Sequence, residues 1–200
     1  PMYLRRLRTV MDEQLGPVGY LEGRADAWFA PAYPHLGATV SNQVNALKTL
    51  IGQRRTELYV TFATTNASAG VDALIPPSQP LNVAVFIAGV DYSPASGNQA
   101  EEFICLTNPA PFAVDISGWR LDGGVRHTFA PGTVILATNL MYVSPDVAAF
   151  RARSAGPGGG QRRFAQGNYQ GQLSARGESL RVIDPLGRVV QSYTYPGAPS

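Results

Sequence analysis

The chain has one cysteine, two histidines and a single lysine, Lys48, among its 200 residues. The lone Cys105 excludes an internal disulfide, and a single thiol in a strand pattern behaves as a small buried hydrophobe. His35 and His127 lie about ninety residues apart with no Cys or His at ligand spacing, so no zinc motif is present. No Gly-x-Ser-x-Gly elbow offers a nucleophile, and His127, inside Val125-Arg-His-Thr-Phe129, reads as a strand side chain. Long hydrophobic runs are missing too: residues 81–90 form the longest, about half of what a membrane-spanning helix needs. Excess charge of either sign is also lacking. The formal net charge is +2 and evenly spread, so no segment implies nucleic acid through charge alone.

What is present in quantity is Ala, Gly, Pro and Arg, the last supplying every basic residue but Lys48. Arg also occupies loops with no phosphate-binding pattern, which points to coding bias from a GC-rich genome more than to a ligand. A hydrophobic content of 44% is ample for a packed core in one medium domain or two small ones.

Residues 2–15 place Leu4, Leu7, Val10, Met11 and Leu15 on one stripe, an amphipathic helix that Gly16-Pro17 ends. Arg24 to Phe29 form a second short helix, with Ala25, Trp28 and Phe29 on one face and Pro31 closing it. Ser41 is the expected N-cap of a third, in which Val44, Leu47, Leu50, Ile51, Leu58 and Phe62 keep helical spacing. Residues 1–62 are therefore a helical segment too small to bury its own stripes. Because the pattern begins already inside a helix, the chain is expected to be the C-terminal piece of a longer protein, with any export signal upstream. Residues 63–81, rich in Ala, Ser, Thr, Asn and Pro, read as a linker.

From residue 82 to 195 the periodicity switches to two. In Phe103-Ile-Cys-Leu-Thr107, Ile104 and Leu106 face one way and Phe103, Cys105 and Thr107 the other, so this strand should be central. Trp119 and Leu121 should fill the space between two sheets. Asp122-Gly-Gly124 and Asp184-Pro-Leu-Gly187 signal hairpins, and Pro131-Gly132 a turn. Strands every eight to twelve residues predict a mainly β sandwich of seven to nine strands with a small N-terminal helical segment.

The order Glu102-Phe-Ile-Cys-Leu-Thr-Asn108, Val114-Asp-Ile-Ser-Gly-Trp-Arg-Leu121, Phe129-Ala-Pro-Gly-Thr-Val-Ile135, Gly177-Glu-Ser-Leu-Arg-Val-Ile-Asp184 and Gly187-Arg-Val-Val-Gln-Ser-Tyr-Thr-Tyr195 resembles the lamin tail domain. That resemblance implies an immunoglobulin-like β-sandwich, found in many bacterial surface and secreted proteins, that binds through loops and faces. Members often carry an acidic residue where this chain has Cys105. Upstream, Tyr3-Leu-Arg-Arg-Leu-Arg-Thr-Val-Met-Asp-Glu13, Arg24-Ala-Asp26 and Val44-Asn-Ala-Leu-Lys-Thr-Leu-Ile-Gly-Gln-Arg-Arg55 resemble the C-terminal helices of the spore-coat CotH family, atypical kinase-fold proteins often followed by a lamin tail module.

Together the resemblances imply a non-catalytic binding or anchoring module at a bacterial cell surface or in a secreted protein, with a protein or a cell-envelope polymer as partner. The alternative is the supporting end of a phosphotransferase whose catalytic residues lie upstream. Phosphoryl transfer needs a phosphate-cradling glycine loop, a Lys and metal-holding acids. The Gly156–Gly160 run follows no clear strand, contains Pro157 and opens no helix, so it reads as a loop tip. Around it stand Arg151, Arg153, Arg162 and Arg163, with Phe150, Phe164 and Tyr169 nearby. This group is either a polyanion site for nucleic acid, glycan or acidic lipid, or a solvated loop in an Arg-biased protein. Carboxylates at Asp91, Glu101, Glu102, Asp115, Asp122 and Asp146 are scattered over loops without the repeat of a calcium site. No catalytic residue, metal or cofactor is expected.

Overall fold

The computed structural model describes residues 2–15, 20–62, 75–157 and 163–197, which fall into two compact units divided between Pro80 and Leu81. The expected turn at Gly16-Pro17, most of the linker (63–74) and Gly158–Gly160 lie outside the described residues. No described helix is long and apolar enough to cross a membrane.

The first unit is helical: α1 (Met2–Leu15), α2 (Tyr20–Phe29) and α3 (Tyr33–Thr56), with a 3₁₀ turn at Ala30–Ala32 and a closing π turn at Glu57–Thr61. Ser41 is not an N-cap. The third helix starts eight residues earlier, with a proline in its first turn, where a preset φ helps and a missing N–H costs nothing. Gly37, at φ 52°, breaks it, a conformation open to glycine alone at little cost. Burial is partial. Ala25, Val40 and Val44 form a small cluster and Met11 and Ile51 are buried, but Leu50 is 55% and Trp28 65% exposed, so the expected stripe is only half used.

After the undescribed stretch the chain returns at Ile75, whose N–H bonds the Phe62 carbonyl at 2.9 Å. Arg5 donates to the Pro77 carbonyl at 2.8 Å. Arg8 donates to the Pro76 carbonyl and, at 2.7 Å, to the Ser78 hydroxyl. The Pro-rich stretch is thus held on α1 by two arginines.

The second unit is a sandwich. One sheet has the order β1 (Phe86–Asp91), β2 (Phe103–Thr107), β7 (Leu140–Val143), β8 (Ala165–Gln166). The other has the order β11 (Val189–Pro196), β10 (Gly177–Ile183), β4 (Arg120–Asp122), β5 (Val125–Thr128), β9 (Gln170–Gly171). A two-stranded piece joins β3 (Val114–Asp115) to β6 (Val134–Ile135), and α4 (Val147–Ala152) follows β7. The eleven strands among the described residues exceed the expected seven to nine because four have only two residues, below what periodicity detects.

The strand β2 lies between β1 and β7, as its two apolar faces require. Ile104 and Leu106 enter the main core with Met141 and Val143, facing Leu121, Val125, Leu180 and Val182 of the opposite sheet. Phe103 and Cys105 enter a satellite core with Tyr142 and Phe150 beneath α4. Trp119 and Leu121 are both buried in the main core. The two-residue loop Gly123-Gly124 joins β4 to β5, and Gly123 needs its identity: at φ +132° an added Cβ would lie 2.5 Å from the Ser179 carbonyl oxygen. Asn108, fully buried, ties the turn after β2 together. Its Nδ2 reaches the carbonyls of Phe112, Ile135 and Leu136 at 2.9–3.1 Å, and its Oδ1 accepts from the Ala110 N–H.

Candidate functional site

The arginine group begins on α4. Asp146 caps this helix, accepting from the N–H groups of Ala148 and Ala149 at 2.8 and 3.1 Å, so the carboxylate is consumed locally. Phe150 anchors the helix against Phe103 and Tyr142, with ring centroids 5.6 and 5.2 Å away. Arg151 is half-buried in the last turn, and Arg153 turns inward, 5% exposed. The Arg153 guanidinium donates to Asp91 at 2.6 Å, to the Gly156 carbonyl at 3.2 Å and to the Glu101 carbonyl, and sits 4.9 Å from the Phe103 ring centroid. Arg163 is exposed and donates to the Tyr142 hydroxyl at 3.1 Å, above that ring. Arg162 lies outside the described residues. Of the four arginines, Arg153 therefore fastens β1 to the chain after α4, and among the described ones Arg163 is the one whose residue is exposed.

Beneath Arg163 and Tyr142, burial pushes the Cys105 thiol up, against the pull of Tyr142 and Arg163, which keeps it protonated and unreactive at neutral pH. The scattered carboxylates have local duties as well. Asp115 accepts from the Ser117 N–H at 2.9 Å, Asp122 pairs with Arg181, and Asp184 accepts from the Leu186 and Arg188 N–H groups. Among the described residues, no three His, Cys, Asp or Glu gather as metal ligands.

One acid behaves differently from the surface pair it resembles in sequence. Glu102 is 1% exposed; its Oε1 accepts from the Tyr169 hydroxyl at 2.7 Å and the Leu173 N–H at 3.1 Å, while its Oε2 is buried without a partner among the described residues. Burial pushes the carboxyl up, and Tyr169 and Leu173 only partly offset it. The phenols of Tyr169 and Tyr195 are likewise pushed up, by burial first and then by bonds to Glu102 and Glu178. The only sequence signal for this buried acid is its place directly before a strand apolar on both faces.

A folded-state pKa above the unfolded one means that the native state holds the proton more tightly. Glu102 is therefore harmless below the ordinary carboxylate pKa of 4.5, and its charge erodes stability as pH rises through the raised folded value. Replacing Glu102 by Gln is expected to raise the midpoint of urea unfolding relative to the parent at pH 8, with the gain vanishing below pH 4.5. Urea melts of both proteins across pH check this, and a pH-independent difference contradicts it.

The helical unit has a cleft of about 500 Å³ lined by Arg8, Asp12, Arg55, Thr56, Tyr59, Val60 and Ser78. Its charged groups are engaged with one another. Arg8 pairs with Asp12 at 2.9 Å and lies 4.3 Å from the Tyr59 ring centroid, the Tyr59 hydroxyl donates to Asp12, and Arg55 holds Glu22 and the Leu15 carbonyl. Burial and Asp12 push the Tyr59 phenol up. The arrangement clamps α1 to the end of α3.

His35 is exposed on α3. His127 lies in β5 with its ring edge-on to Phe129, centroids 4.9 Å apart, and burial lowers its pKa against opposing contacts from Gln166 and the Asn168 backbone. Among the described residues, neither joins a nucleophile and an acid in a triad.

The family model of the lamin tail domain matches residues 78–197. No curated protein matches the chain.

Proposed function

We propose, from the premise that this chain belongs to the lamin tail domain family, that its sandwich serves as a binding or anchoring module of a bacterial cell-envelope or secreted protein, carried behind a CotH-like helical region. The lamin tail domain is an immunoglobulin-like, non-catalytic domain. The observation that carries the reading is where the polar chemistry lies. Glu102, Tyr169 and Tyr195, whose ionisation is disfavoured by burial, are turned into a filled core, which leaves the surface for recognition. The helical resemblance upstream and the occurrence of lamin tail modules in bacterial surface proteins support the envelope context.

The purified full chain is expected to co-sediment saturably with isolated bacterial cell-wall polymer at physiological salt. Retention that is absent, or that disappears at 150 mM salt, contradicts the reading. A second reading, polyanion binding through Arg151, Arg153, Arg162 and Arg163, draws support from the exposed Arg163. Because Arg153 is built into the fold, its test is the triple replacement of Arg151, Arg162 and Arg163 by Ala. Heparin elution should move to lower salt, and an unchanged elution eliminates the loop.

A further inference from the structure

The ladder between β5 and β9 holds only two residue pairs, Val125 with Gly171 and Arg126 with Gln170. On its other edge β5 stays paired to β4 through His127 and Thr128. Past Arg126 the segment 167–169 is not part of the ladder, and a cleft of about 360 Å³ opens there, lined by Arg126, His127, Thr128, Gly167, Asn168 and Gln170. Its far wall is pinned. The Tyr169 N–H bonds the Ser144 carbonyl, Gln166 donates to the Thr133 hydroxyl at 2.7 Å, and at Gly167 an added Cβ would lie 2.8 Å from Val147 Cγ2 and 2.9 Å from the Ser144 oxygen. The volume is at the small end of the ~300–1,000 Å³ typical of ligand clefts.

Among the described residues, the side chains of Arg126, Thr128, Asn168 and Gln170 have no hydrogen-bond or ion-pair partner, and the His127 Nε2 is buried and unpaired. The lining thus joins one unengaged guanidinium to a hydroxyl, two carboxamides and an imidazole nitrogen, with no carboxylate and no Phe, Tyr or Trp. The lone cation selects an anionic group, which a guanidinium grips through two parallel N–H bonds. The absence of an acid disfavours ligands with an ammonium. A bare phosphate would use the carboxamide N–H donors but leave the carbonyl oxygens of Asn168 and Gln170 without a partner, which sugar hydroxyls can supply.

What matches the whole set is one carboxylate joined to a ring of hydroxyls. We propose that this cleft binds a single acidic sugar of the uronic acid class, its carboxylate on Arg126 and its hydroxyls on Thr128, Asn168 and Gln170. The site is separate from the arginine loop. It deepens the envelope-binding reading and rests on it only for the source of the sugar.

Calorimetric titration of the full chain with D-glucuronate, a glucuronate-containing oligosaccharide, D-glucose and inorganic phosphate tests the assignment. Glucuronate should bind at least about tenfold more tightly than glucose or phosphate, and Arg126→Gln should weaken it at least about tenfold. Arg126 is exposed on a short strand, so the variant should melt like the parent; Asn168→Ala, also at an exposed position, is the second probe and should weaken glucuronate alone. Tighter binding of the oligosaccharide identifies a polymer as the source, and tighter binding of the monosaccharide a free acid; both support the site. No glucuronate binding, equal binding of phosphate, or affinity indifferent to both variants overturns it. Wall-polymer retention without glucuronate binding removes the cleft and leaves the envelope reading, whereas glucuronate binding without retention does the reverse.

Discussion

Trp119→Ala is expected to cost the sandwich about 3–5 kcal/mol, a large part of the ~5–15 kcal/mol that holds a domain together. Trp119 is 5% exposed and packs in the main core between the two sheets. Its backbone closes the turn into β4: its N–H bonds the Ile116 carbonyl at 3.0 Å and its carbonyl accepts from Phe129 at 2.9 Å. Alanine keeps those bonds, so the loss comes from the indole volume, with a void that neighbours from two sheets cannot close. The midpoint of thermal unfolding should fall by about 10–20 °C. A fall of only one or two degrees would mean that the indole is not between the sheets.

Arg153→Ala should cost about 2–4 kcal/mol. Its side chain is 2% exposed while the paired Asp91 is 24% exposed, so truncation leaves a largely buried carboxylate and the Glu101 and Gly156 carbonyls without their donor. Lysine keeps the charge but cannot reach three acceptors from one planar fork, so Arg153→Lys should recover less than half of the loss. Urea denaturation of the three proteins measures this. If Arg153→Ala instead melts like the parent and elutes early from heparin, Arg153 is a surface ligand-binding residue and its inward placement is wrong.

Those two residues also mark where sequence reading succeeds and where it stops. Trp119 was legible because Ser117-Gly118 announces a turn and Leu121 repeats the inward face two residues later. The central place of β2 was legible because both of its faces are apolar. Arg153 was not, since neighbouring glycines and arginines make it resemble a loop cation, and its partner Asp91 is 62 residues away. Glu102 escaped for the same reason: its partners Tyr169 and Leu173 come from a distant segment, and nothing local distinguishes it from Glu101. The short α4 was hidden because Asp146, its cap, reads equally well as one more loop acid. The cleft beside β5 depends on where a two-pair ladder ends, which no periodicity encodes. In the helical unit, the start of α3 was misplaced because Ser41 has the chemistry of a cap, whereas the true start has no side-chain cap and only a proline in its first turn.

The lamin tail unit is held to be self-contained, closed around its own core and independent of the helices before it. Scanning calorimetry of residues 78–197 alone tests this most directly. A single two-state transition is expected, with an unfolding enthalpy of about 80 kcal/mol near 60 °C and a midpoint matching that of the same unit in the full chain. A broad, non-cooperative melt of that fragment would contradict it and make the helical unit part of the same core.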